Sequence, residues 1–149
     1  MKLHSKQIPL EGLHVEGEED CPLNGLENED VRCAGPLSFK LDVGMSGDAL
    51  WANGSLHQSV ELRCVSCLEK FVHDIEVPGF AVHTELRGRE AVDLTPFMRE
   101  DLLLNLPAHP HCDRHGNRVC KAEQIETEGQ ITKREADWSA LDRLNIRNR

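Results

Sequence analysis

Apolar and polar residues alternate through the middle of this chain. From Pro36 onward, Leu37, Phe39, Leu41 and Val43 alternate with Ser38, Lys40 and Asp42, the period of a half-buried strand. Gly44 to Asp48 concentrates turn residues: two glycines, a serine and an aspartate within five positions. Leu50, Ala52, Leu56, Val60, Leu62 and Cys64 then share one phase, interrupted at Asn53-Gly54 and Gln58. Asn-Gly is a strong hairpin signal. Two readings therefore compete, a hairpin turning at Asn53-Gly54 or a single bent strand with a bulge at Gly54. Alternation resumes with Phe71, Ile75 and Val77, breaks at Pro78-Gly79, and continues through Phe80, Val82 and Leu86 until Gly88. Five or six strands over about residues 36–86 are expected.

The helix signal comes next. Thr95 is placed to cap, Pro96 sits at the first helical position, and Asp93 adds negative charge near the positive end of the dipole. Phe97, Met98, Leu102, Leu103, Leu104 and Leu106 supply a broad apolar face, and Arg99, Glu100 and Asp101 supply the wet side. Pro107 stops the helix at or before Leu106. The pattern predicts a core helix over 96–106, packed on the sheet. Beyond it, residues 121–136 are polar and patternless, and Ala136–Leu144 reads as a short helix with Trp138, Leu141 and Leu144 on one side. The fold class expected is α+β: a mostly antiparallel, curled, half-barrel-like sheet with one core helix and a short C-terminal helix.

Length changes this picture little, since 149 residues suit one domain with a tail. Charge divides it. Residues 1–34 hold eight acids against Lys2, Lys6 and Arg32, with Gly12, Gly17 and Gly25 breaking any period. This segment is expected to be acidic and partly flexible, with an edge strand at Lys6–Leu13. The β-rich core then runs over 35–120, and 121–149 is a polar linker ending in the short helix. The net charge of −9 argues against a protein that coats nucleic acid by itself. Four Phe, two Trp and no Tyr leave little for a base-stacking platform. No run approaches the roughly 20 apolar residues of a membrane span, and the N-terminal residues lack the apolar stretch of a secretory signal. The expected address is the cytoplasm, where the six cysteines would stay mostly reduced rather than form a disulfide framework.

The cysteines carry the candidate chemistry. Cys64-Val65-Ser66-Cys67 is a Cys-x-x-Cys between two strand patterns. In a hairpin turn, two thiolates at this spacing can face one ion while turn amides stabilise the sulfur charge. Tetrahedral zinc then needs two further ligands. Cys112 and Cys120 supply them, with His115 as an alternative ligand beside His109 and His111. A redox pair of the thioredoxin type wants a helix N-terminus beneath the thiols, and here strand patterning follows instead. Cys21 and Cys33 show no matching partners and read as incidental. No Ser or Cys nucleophile pairs with a recognisable base, and no phosphate-binding Gly loop occurs. The residues offer no positive sign of an enzyme. The alternative kept beside a binding protein is a thiol-redox or zinc-dependent enzyme using Cys64 and Cys67.

Two motifs follow in order: Cys64-Val-Ser-Cys67-Leu68-Glu69-Lys-Phe71, then Asp93-Leu94 with Arg99-Glu100-Asp-Leu102-Leu103-Leu104-Asn-Leu106-Pro107. In this order the chain resembles the bacterial YceD family, a former domain-of-unknown-function family described as large ribosomal RNA subunit accumulation proteins. The resemblance covers roughly Pro36 to Leu144. It implies a non-enzymatic ribosome-biogenesis factor that supports 23S rRNA synthesis, processing or stability and large-subunit assembly. It carries no catalytic residue over. Many relatives have a richer cysteine cluster after the Leu-Pro, where this chain has Cys112 and Cys120 with a histidine-rich spacer. The expected partner is a large-subunit precursor, or a ribosomal or assembly protein. An acidic chain suits a basic protein partner, and neither DNA nor membrane is expected.

Overall fold

The structure is a computed structural model that describes residues 1–23, 31–114 and 118–122. Six strands and one helix follow in order: β1 (Lys2–His4), β2 (Leu13–Glu19), β3 (Val31–Ser46), β4 (Ala49–Arg63), β5 (Lys70–Glu85), β6 (Ala91–Asp93) and α1 (Thr95–Leu104), with a single 3-10 turn at Ser5–Gln7. Strands β2-β3-β4-β5 form an open antiparallel meander, and β1 pairs with β6 in a separate two-stranded sheet. The chain is α+β and mostly antiparallel, as its patterning predicts. Within 36–86, however, three long strands replace the expected five or six. Two apparent breaks turn out to be irregularities inside continuous strands.

The first is Asn53-Gly54, where no hairpin forms and β4 runs straight through. Gly54 lies against β3, where an added Cβ would come within 2.0 Å of the Lys40 carbonyl oxygen. The glycine is there for that close approach. The register shift expected here falls between Gly54 and Leu56, but the extra residue lies on the partner strand, at Pro78-Gly79 of β5. Strand β5 is an edge strand, where proline's missing N–H is tolerated. The bulge also explains the change of phase from Ile75 and Val77 to Phe80, all of which face the core.

The second irregularity is in β3, which begins at Val31 rather than Pro36 and is bulged between Cys33 and Leu37. The bulge turns the Gly35 carbonyl out of the ladder, and Gln58 restores its partner. Gln58 is fully buried, and its Nε2 donates to the Gly35 oxygen at 2.8 Å and the Ser59 oxygen at 2.9 Å. The residue that interrupts the apolar phase of β4 is thus a polar plug for a bulge.

One face of the meander is the core. Leu37, Leu41, Leu56, Val60, Ile75 and Phe80 are buried there, and α1 covers them with Met98 and Leu102, both at 0 % exposure. Each such side chain contributes about 1.5–3 kcal/mol through burial. Leu104, expected on the apolar face, is exposed instead. The helix starts at Thr95, whose residue is not the cap: the Thr95 N–H is taken by Asp93 Oδ1 at 3.0 Å. The acidic N-terminal segment contributes β2, which begins at Leu13 where the expected Lys6–Leu13 strand ends and pairs along Leu13–Glu19 to β3. The linker from 123 and the helix expected at 136–144 lie outside the described residues.

Candidate metal centre

Strands β4 and β5 are joined by the turn that carries Cys64 and Cys67. Its backbone is fixed by three hydrogen bonds: Cys64 N–H to the Glu69 oxygen at 2.8 Å, Leu68 N–H to the Cys64 oxygen at 3.0 Å, and Val65 N–H to the Pro110 oxygen at 2.9 Å. The last of these ties the turn to the segment that follows α1. The chain reverses at Leu68, which takes a left-handed φ of 62°. A residue with a Cβ is held there at a cost of about 1–2 kcal/mol.

The post-helix segment brings Cys112 and Cys120 to this turn. The four Sγ atoms of Cys64, Cys67, Cys112 and Cys120 all lie within 4.8 Å of one another and could hold a metal ion. Two of the separations are 3.7 Å (Cys67 to Cys112) and 4.0 Å (Cys64 to Cys120). A tetrahedron of thiolates at the usual zinc–sulfur bond length of about 2.3 Å has an edge of about 3.8 Å. With all separations within 4.8 Å, the donor set is close to the size that a tetrahedral ion needs. Cys64, Cys112 and Cys120 are buried and Cys67 is half-buried.

The sulfurs are not equivalent. Burial pushes the Cys64 thiol up, but the backbone N–H groups of Cys67, Cys112 and Ser66 and the Cys67 thiol outweigh it and bring Cys64 down to about 6. Cys112 is pushed up to about 12 by burial, and then by its contacts with Cys67, Cys120 and Cys64. Cys120 is drawn down by the Ala122 N–H, yet burial and the Cys67 and Cys64 sulfurs leave it raised. Cys64 is drawn toward the thiolate by the turn's N–H groups, while burial is the main cause that holds Cys112 up. A cation among the four would remove that penalty.

A clamp outside the cluster holds the last ligand in place. Glu69, two residues after Cys67, accepts from Arg118 Nη2 at 2.6 Å and from Lys121 Nζ. Both cations flank Cys120, and they draw the Glu69 carboxyl below its ordinary range, Lys121 most strongly. Arg118 also reaches the Lys70 oxygen at 3.4 Å. Sequence reasoning misses this clamp, because nothing near Glu69 marks Arg118 and Lys121, some fifty positions on, as its partners. Of the histidines, His111 Nδ1 lies 3.2 Å from Ser66 Oγ and His109 is exposed, and neither joins the sulfur cluster. His115 lies outside the described residues.

Cys21 and Cys33 are not incidental. They form a disulfide, with Cα atoms 6.2 Å apart, against the expectation that neither has a matching partner. Cys21 follows the end of β2 and Cys33 opens β3. Antiparallel pairing of these strands brings the two together, and spacing alone could not reveal it.

No family model, curated protein or solved structure matches the chain. No helix among the described residues is long and apolar enough to cross a membrane.

Proposed function

We propose that this protein is a non-enzymatic binding factor whose four cysteines hold one structural zinc. The carrying observation is the donor set itself: four sulfurs within 4.8 Å of one another, supplied by a turn and by a segment distant in sequence. Catalytic zinc keeps a position open for water, whereas structural zinc is closed by four protein ligands. Zinc here would clip the segment after α1 to the β4–β5 turn and fix the surface that the two present together. On the motif resemblance, that surface serves large-subunit assembly. The partner would then be a ribosomal or assembly protein, or the precursor itself, in support of 23S rRNA. The acidic balance of the chain supports a basic partner protein.

The test has two arms. Elemental analysis of the untagged protein is expected to find one zinc per chain, with Cys64, Cys67, Cys112 and Cys120 masked from thiol reagents. Gradient sedimentation is expected to place the protein with large-subunit precursors, and its deletion to lower 23S rRNA. Free sedimentation away from the precursors, with normal 23S rRNA on deletion, would sink the ribosomal assignment. The competing reading, a thiol-redox enzyme at Cys64 and Cys67, requires an accessible reactive thiolate. Metal-masked thiols would remove it.

A further inference from the structure

The four-stranded sheet has two edges, β2 and β5, and they differ. Strand β5 carries the Pro78-Gly79 bulge, which removes a backbone N–H and interrupts the ladder, and α1 packs against it. Strand β2 has neither protection. Its seven residues pair one-to-one with β3, without a register shift and without a proline. Alternate residues of such a strand direct N–H and C=O groups away from the sheet. Among the described residues, no backbone hydrogen bond joins them to any element but β3. Gly17, near the centre of β2, is exposed, and what it shows to solvent is backbone. Packing from the sheet side accounts for the glycine, since an added Cβ would stand 3.3 Å from Cζ of the buried Phe39.

Charge selects what can pair with this edge. No Lys or Arg lies between Lys6 and Arg32, a stretch that holds eight Asp and Glu residues. Within β2, Glu16 and Glu18 are exposed on one face of the strand. Glu18 has a contact of 3.4 Å with Ser38 Oγ, and Glu16 has no ion pair among the described residues. Beside them lies a depression of about 460 Å³, lined by Glu16, Glu18, Ser38, Lys40, Ser55 and His57. Lys40 stands opposite Glu16 in the register, and His57 Nε2 lies 4.0 Å from Asp74 Oδ1. A second copy of β2 centred antiparallel on Gly17 would set Glu16 of each strand against Glu18 of the other, and like charges directly opposite destabilise a strand pair. A neutral strand would make the backbone bonds but leave both carboxylates partly desolvated. A strand with Lys or Arg at alternate positions makes the backbone bonds and sets its cations opposite the carboxylates. We infer that an extended segment of a partner protein, with Lys or Arg at every second position, adds to β2 as a fifth strand. This is a second surface, apart from the turn that carries the cysteines. The inference rests on the binding-factor reading only in taking a protein as the occupant.

The test uses the full-length protein and capped synthetic peptides. The probe is Lys-Thr-Lys-Val-Lys-Thr-Lys. One control is the same peptide N-methylated at every internal residue, which keeps the charge and removes the N–H donors. The other has the same composition with its lysines in one block. The alternating peptide is expected to bind, more weakly as salt rises, and to slow amide exchange in Leu13–Glu19. Both controls are expected to bind about tenfold more weakly. Glu16→Lys with Glu18→Lys should lower affinity for the lysine peptide about tenfold and confer binding of Glu-Thr-Glu-Val-Glu-Thr-Glu. Glu16→Gln with Glu18→Gln serves if the reversed variant does not fold, with a smaller loss expected. Equal affinity for either control would overturn the inference, because charge attraction would then act without a strand. So would no binding of the alternating peptide, unchanged exchange in β2, or full affinity in a folded variant. A dimer mass in light scattering without peptide, with β2 already protected, would make the occupant a second copy and overturn it as well. A chain that holds one zinc and sediments with the precursors but ignores the peptide loses this inference and keeps the proposed function. A chain that binds the peptide without zinc or precursors does the reverse.

Discussion

Removing the metal should open one end of this molecule and spare the rest. The cysteine cluster and the β core are separate apolar clusters, so the perturbation can be local. The described stretch 118–122 is held to the turn by the Cys120 sulfur, by the Glu69 clamp and by the Arg118 contact to the Lys70 oxygen. The clamp residues are half-exposed, and ion pairs open to water are weak. Fixing five residues costs about 5–10 kcal/mol of backbone entropy. A structural zinc supplies about 10–16 kcal/mol of apparent binding free energy at neutral pH. With the ion the stretch is ordered. Without it the weak surface pairs cannot offset the entropy.

The assay is amide exchange and limited trypsin digestion before and after chelation. In the metal-loaded protein, cleavage after Arg118 and Lys121 should be slow. After chelation under reducing conditions both bonds should be cut readily, while β3, β4 and β5 keep their exchange protection. Equal protection of 118–122 with and without metal would refute the reasoning, since something other than the ion would then be holding the segment. Loss of protection throughout β3–β5 would refute it from the other side, by showing that the sheet needs the ion as well.

Three further outcomes follow from single features. Replacing both Cys21 and Cys33 by Ser should cost about 3 kcal/mol of unfolding free energy under oxidising conditions, from the entropy of the closed loop, and little in reductant, where the pair is already open. Denaturant unfolding in both buffers measures it. Gly54→Ala places a Cβ about 2.0 Å from the Lys40 oxygen and 2.9 Å from Leu41 Cα, and backbone must move. A loss of about 3 kcal/mol is expected, seen in the same unfolding curves, and an unchanged midpoint would show that β3 and β4 are not in close contact there. Glu69→Gln removes the charge that holds Arg118 and Lys121 and should weaken zinc several-fold in competition with a chromophoric chelator. An unchanged affinity would mean that the clamp does not position Cys120.

What the sequence showed and what it hid divide along a physical line. Local patterns survive folding. The alternation from Leu37 to Val43, the apolar phase of β4, the helix around Met98 and Leu102, and Cys64-x-x-Cys67 in a turn all concern neighbours within a few residues. Features made by pairing between strands do not show locally. Pro78-Gly79 has the chemistry of a turn, and only its place on an edge strand makes it a bulge. Gln58 reads as a flaw in a strand until the Gly35 carbonyl is set opposite it. The Cys21–Cys33 bond appears only when β2 and β3 are aligned, and Glu69 acquires its partners only when the post-helix segment has returned. The meeting of Cys112 and Cys120 with the turn is intermediate: tetrahedral chemistry asks for two more sulfurs, but topology must deliver them.

The separation of the two clusters bears on how this protein would be controlled. Phe71 is the side chain that packs against both, and it is itself half-buried. The sheet buries its apolar face with α1 and draws nothing from the four cysteines of the cluster. A pocket of about 480 Å³ between the turn (Leu62, Val65, Leu68) and the chain after α1 (Leu106, Pro107, Pro110) does draw on them, because that chain forms one of its walls. That wall is held near the turn by the Val65–Pro110 hydrogen bond and by the sulfur cluster just beyond it. A metal at the cluster would therefore decide whether the binding surface is assembled, not whether the domain folds.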